Sequence, residues 1–240
     1  MYTPKDRLKY TKLFSQTLTY LKSKKRILFL VTSNRWTKIF NKDIPKSTQL
    51  AYKLADMIGK KNVEIIEVPK LKIYPCEGNV SLAKGNDCGV QKSLLQNPFK
   101  NPSGCHRCWA SINYPDDELW KISKSLLQSD CVVFFTSIRW GQTNSEYQKL
   151  IERLTWLENR HSTLGESNIL QNIDAGIIAV GHNWKGSEVV ETQKKVLSWF
   201  GFKVISDLCW NWQFTTPEDE SQESYQAANL EFKKTFLNFK

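Results

Sequence analysis

The chain has 240 residues, 40% of them hydrophobic and with nine Trp, eight Tyr and twelve Phe, which is enough for a sizeable core and excludes general disorder. No apolar run approaches the roughly 18–20 residues of a bilayer-crossing helix, and the polar start lacks a signal peptide's apolar stretch, so a cytoplasmic protein without membrane partners is expected. The formal charge of +10 attracts phosphates and nucleic acids without specificity; no helix-turn-helix, zinc finger or RNA-binding aromatic signature accompanies it, so it reads as solvated surface.

Residues 5–23 place Tyr10, Leu13, Phe14, Leu18 and Leu21 on one helical face, an N-terminal extension over 1–25. A buried strand follows at 26–33, then a helix opened by Ser47 and Thr48 and ending near Gly59, then a second strand at 62–68. Residues 69–115 break the rhythm with five prolines and four cysteines, a loop-rich insertion. Asp116 and Asp117 suit the start of the next helix, which buries Leu119, Ile122 and Leu126. A strand at 131–137, a helix at 145–160, a strand at 175–181, a helix at 186–202 and a strand at 203–210 follow. A last helix from about Pro217 is anchored by Tyr225, Phe232 and Phe236.

Five strands alternating with helices predict one α/β domain over 1–240, a doubly wound parallel sheet in three layers with strand order 2-1-3-4-5. In that order the ligand crevice lies between strands 1 and 3, at the carboxyl ends of the strands. The loop after strand 1 offers Ser33, Asn34 and Arg35, and Ser47 and Thr48 stand at the next helix start; hydroxyls and helix N-terminal amides suit a phosphate, with Lys38, Lys42 and Lys46 adding positive potential. Neither GxGxxG nor GxxxxGK[ST] is present, which argues against tightly held NAD or ATP. The loop after strand 3, Ser137, Ile138, Arg139, Trp140 and Gly141, offers an aromatic, a cation, hydroxyls and a glycine, a set suited to a flat hydrogen-bonding cofactor such as a flavin. A third loop, Gly181, His182, Asn183, Trp184, Lys185 and Gly186, reaches the same edge; His182 reads as a loop histidine rather than a proton donor. Each loop alone also fits a plain surface reading, and their convergence on one edge carries the argument.

The chain resembles the flavodoxin-like NAD(P)H-dependent FMN reductases and their iron–sulfur flavoprotein relatives. Thr32-Ser33-Asn34-Arg35 with Ser47-Thr48 is similar to the family's first loop. Thr136-Ser137-Ile138-Arg139-Trp140-Gly141, Ser145 and Lys149-Leu150-Ile151-Glu152-Arg153 is similar to its second signature, with Ser137 in place of the usual proline and Arg139 in place of the usual tyrosine. The resemblance covers about 26–205. It implies a flavodoxin-like fold and non-covalent FMN, with the phosphate near Ser33, Arg35, Ser47 and Thr48. The ring would lie against 137–141 and against Gly181, His182, Asn183 and Gly186. It also implies NAD(P)H as co-substrate, a homodimer or higher homo-oligomer, and hydride transfer to a quinone, nitro, azo or flavin acceptor, with no catalytic acid or base required. An electron carrier of the flavodoxin type and a flavin-free binding protein on the same fold are the alternatives.

Without a signal peptide, the six cysteines read as reduced thiols. Cys76, Cys88, Cys105 and Cys108 could supply a metal or cluster, with His106 as a further ligand, but unclustered thiols are the favoured reading, because CxxC alone is common. A redox pair of Cys105 and Cys108 is disfavoured, since no helix start is evident after it.

Overall fold

In a computed structural model, which describes residues 3–34 and 43–239, strands β1 (Ile27–Val31), β2 (Val63–Glu67), β3 (Cys131–Arg139), β5 (Asp174–Val180) and β6 (Lys203–Trp212) form a parallel sheet in the order β2-β1-β3-β5-β6. This is the expected winding, and the fold is flavodoxin-like. The register pairs Ile27 with both Val63 and Cys131, and Cys131 with Asp174. One strand lies outside the expectation: β4 (Gln142–Thr143) runs antiparallel to the end of β3 and turns the second loop into a hairpin.

Strand residues alternate between two cores, which is why the strands read as continuous apolar runs. Leu28, Leu30, Val132, Phe134, Ala175 and Ile177 face one side, with α4 (Leu119–Leu127), α5 (Ser145–Ser162) and α6 (Gly186–Trp199). Ile27, Phe29, Val31, Val133, Phe135, Ile178 and Trp210 face the other, with α1 (Pro4–Lys22), α2 (Lys46–Ile58) and α7 (Gln222–Phe232), which runs into a π-helical turn. The extension α1 is capped at Thr3 by a reciprocal bond with Asp6, and it spans the sheet to β6, where Trp210 Nε1 donates to Thr17 Oγ1 at 2.9 Å.

The insertion is built from short pieces: single 3-10 turns at Val68–Lys70 and Gln91–Ser93, and the short helix α3 (Trp109–Asn113). Polar anchors on and beside α5 hold it. Arg153 bonds the Tyr74 carbonyl and Asp117, Arg160 donates to the Cys105 carbonyl at 3.1 Å, and Arg107 and Arg160 share Glu166. As expected, Asp117 accepts from the Leu119 amide at the start of α4, and its carboxylate is also bound by Arg153. One expectation is corrected. The last helix starts at Gln222 rather than near Pro217, and Tyr225 is not a core anchor, since it is 44% exposed. No described helix is long and apolar enough to cross a membrane.

Candidate functional site

A cleft of about 620 Å³ opens at the carboxyl edge, where β1 and β3 send their chains to opposite faces of the sheet. Ser33, Asn34 and Ser47 line one end, Ser137, Ile138, Arg139, Trp140 and Gly141 one wall, and Gly181, His182 and Asn183 another. The sequence therefore brings its three loops together. Arg35, Lys38 and Lys42 lie outside the described residues. A larger hollow of 810 Å³ on the insertion makes a poorer site, because its buried hydroxyl, Ser111, is already taken by Asp117 and Arg153.

At the first end, Thr32 closes β1 against β3 by donating its amide and hydroxyl to the Phe135 carbonyl. Ser47 then donates to Ser33 across 2.6 Å, both side chains being buried. The N-cap of α2 is Pro45, which has no side chain able to cap, and no side-chain cap bond is formed. Beside it, the Thr48 hydroxyl is buried with no hydrogen-bond partner among the described residues. Thr48 does not line the cleft; it stands just behind Ser47. An uncapped helix start with buried hydroxyls is a site for an anionic oxygen group.

The second wall is a two-residue hairpin. Ile138 pairs with Thr143 and Arg139 with Gln142, so Trp140 and Gly141 make the turn, with φ of 50° and 69°. Such a double-positive turn matches the twist of a hairpin and asks for Gly or Asn at both positions. Gly141 meets that demand and Trp140 does not. Trp140 also fails to cover anything, because it is 92% exposed. Below the hairpin, Asn144 caps α5 by accepting from the Tyr147 amide, while its Nδ2 donates to Thr32, Thr136 and Ser137 hydroxyls at 3.1–3.3 Å. One side chain thus fixes β1, β3 and α5 under the cleft. Its N-cap position before Ser145 was the sequence signal for it.

The third loop is clamped by the C-terminal segment, which no sequence motif assigns to the site. Trp212, Pro217, Glu220, Tyr225 and Ala228 also line the cleft. The Phe214 and Thr215 amides donate to the His182 carbonyl, Asn183 donates to the Pro217 carbonyl and to Glu220, and Gln213 donates to the Asn183 carbonyl. The His182 ring stacks on Tyr225 with centroids 4.1 Å apart, has Phe214 at 5.9 Å, and meets Ser224 Oγ at 3.2 Å. Burial lowers the His182 pKa, and Lys46 adds to that against the opposing pull of Asp219 and Glu220, so the imidazole is neutral at pH 7. Gly186 is not part of the lining. It starts α6 against Asn211, where a Cβ would lie 2.2 Å from the amide nitrogen.

The insertion cysteines form no disulfide, and among the described residues no three His, Cys, Asp or Glu side chains are grouped to hold a metal. Burial pushes the Cys88 thiol up to about 12. His106 is fully buried beside Trp156 with neither ring nitrogen hydrogen-bonded, and burial drops its pKa to about 3. A short helix, α3, does follow Cys108 directly, contrary to the sequence expectation.

The residues fit a phosphorylated flavin. Paired buried serines and an uncapped helix start suit the phosphate, and the cleft has the volume of a cofactor site.

No protein-family profile and no curated protein matches the chain. Among solved structures it is similar to RosB with bound 8-demethyl-8-formylriboflavin-5'-phosphate, with a TM-score of 0.56 and 12% identity over 88% of this chain and 74% of that one. An azoreductase from Bacillus anthracis gives a TM-score of 0.48 and 11% identity over 88% and 97%. At such identities the likeness to RosB is one of fold, and the chain shares the flavodoxin-like α/β architecture.

Proposed function

We propose that the protein is an FMN-dependent NAD(P)H oxidoreductase acting on a quinone, nitro, azo or flavin acceptor. The observation that carries this reading is the Ser47–Ser33 pair at an uncapped helix start, placed at the switch point of a doubly wound sheet. Ser33 and Ser47, with the first-turn amides of α2, would hold the phosphate. The hairpin residues Ser137, Ile138 and Gly141, with Gly181 and Asn183, would border the ring. FMN, when bound, supplies hydride chemistry between a nicotinamide and an acceptor.

The chain's own part is position and exclusion of water. Asn144 bonds the hydroxyls of Thr32, Thr136 and Ser137 and so ties together the strands under the cleft. The neutral His182, stacked on Tyr225, closes the far wall without adding charge. The fold type recurs with a flavin phosphate in RosB, which agrees with the reading.

The absorption spectrum of the purified protein, with the released chromophore identified, is the direct test. A flavin spectrum, released FMN and oxidation of a nicotinamide cofactor are expected. A colourless protein that takes up no added FMN would overturn the assignment.

A further inference from the structure

The mouth of the cleft carries a conspicuous cost. Trp140 sits in the left-handed backbone region, which bulky residues rarely adopt, and its ring packs on almost nothing. Neither core packing nor turn chemistry explains a tryptophan there, and strain of this kind clusters at ligand clamps. The hairpin is also held in place from below: a Cβ on Gly141 would lie 3.1 Å from Lys185 Cγ and 3.4 Å from Trp184. Trp184 and Tyr225, 42% and 44% exposed, also line the cleft.

Arg139 precedes this tryptophan and also lines the cleft. Its guanidinium has no hydrogen bond or ion pair to any described residue, and its strand partner is the uncharged Gln142. The one acid among the described residues of the lining, Glu220, accepts from Asn183. An unengaged cation therefore stands beside an exposed aromatic platform.

Resting on the flavin-reductase reading, we infer that the cleft mouth recognises a flat aromatic ring bearing an anionic group, the ring on Trp140 and the anion at Arg139. The same chemistry has two sources, an acceptor with a sulfonate, carboxylate or phosphate, or the adenine and 2′-phosphate of NADPH.

Calorimetric titration of the FMN-loaded protein separates them, using 1,4-naphthoquinone-2-sulfonate against 1,4-naphthoquinone and NADP+ against NAD+. The anionic member of at least one pair binds about three- to tenfold tighter, as an exposed cation allows. Arg139→Gln brings that ratio to one, and the pair affected names the source. Trp140→Gly weakens binding while raising the midpoint of thermal unfolding, so lost folding cannot account for lost affinity. Equal binding within both pairs, or a ratio that survives Arg139→Gln, overturns the inference. A protein that takes up no FMN overturns the flavin reading instead, and the same titrations on the unloaded protein still decide the role of Arg139.

Discussion

Arg153 on α5 grips Asp117 through two parallel bonds of 2.7 and 2.9 Å, with both side chains fully buried. The pair is completed by Ser111 and by the Tyr74 carbonyl, so it fastens both ends of the insertion to the helix that follows the hairpin. Burial pulls the Asp117 carboxyl up, but the Arg153 bonds and charge outweigh it and hold the carboxyl below its ordinary range. Removing one partner leaves a buried charge unpaired. Asp117→Ala is expected to destabilise the protein by about 3–5 kcal/mol in urea unfolding. A loss under 1 kcal/mol would mean that the insertion is not fastened there.

Trp140→Gly should act in the opposite direction. Relieving the left-handed backbone at this position gains about 1–2 kcal/mol, and glycine's extra unfolded-state entropy takes back part of it. A net gain of about 0.5–1 kcal/mol in the same unfolding experiment is expected. Destabilisation would show that the exposed ring packs on something.

Asn144→Ala removes a helix cap and three hydroxyl contacts at once. A stability loss of about 1–2 kcal/mol is expected from the cap, together with weaker FMN binding measured by fluorescence titration. If stability falls and FMN affinity does not, Asn144 supports the fold but not the cleft.

Ser47→Ala tests the phosphate assignment without touching the ring wall. FMN affinity should drop about tenfold, the worth of one charge-assisted bond, while riboflavin affinity stays level. An equal drop for both flavins would move the phosphate elsewhere.

His106 sets a pH window. Its pKa falls from 6.5 in the unfolded chain to about 3 when buried, so the unfolded state binds the extra proton between those values. Its contribution is full above pH 6.5 and declines as pH falls from there toward 3. His106→Leu should flatten the upper part of that decline, between about pH 5 and 6.5, above the range where carboxylates such as Asp117 begin to contribute. An unchanged slope in acid unfolding curves would place the His106 ring in contact with water.

The central strands and their order were legible because β1, β5 and most of β3 are buried on both faces, which leaves runs such as Ile27–Val31 without polar interruption. Ser33 was legible at the end of the apolar run of β1, and Ser47 at the start of an amphipathic helical pattern. The hairpin was not, because Trp140 occupies a turn position where sequence rules expect Asn or Gly. Nor was the role of Tyr225: its spacing matched a core anchor, and only the stack on His182, far away in sequence, turns it toward the cleft. Arg153 fitted a helix signature, but nothing in the spacing names Asp117 as its partner. Contacts of that kind depend on how a loop returns, and a single sequence does not encode them visibly.

The last wall of the cleft comes from α7, which packs beside the first helix through Arg7 to Glu231, with Phe14 against Phe236 in the π-helical turn that follows. During synthesis the sheet strands emerge well before that wall does. A chain stalled before Gln222 would hold every strand and all three loops yet lack Tyr225 and Ala228. Ligand binding would then report on whether translation reached the tail.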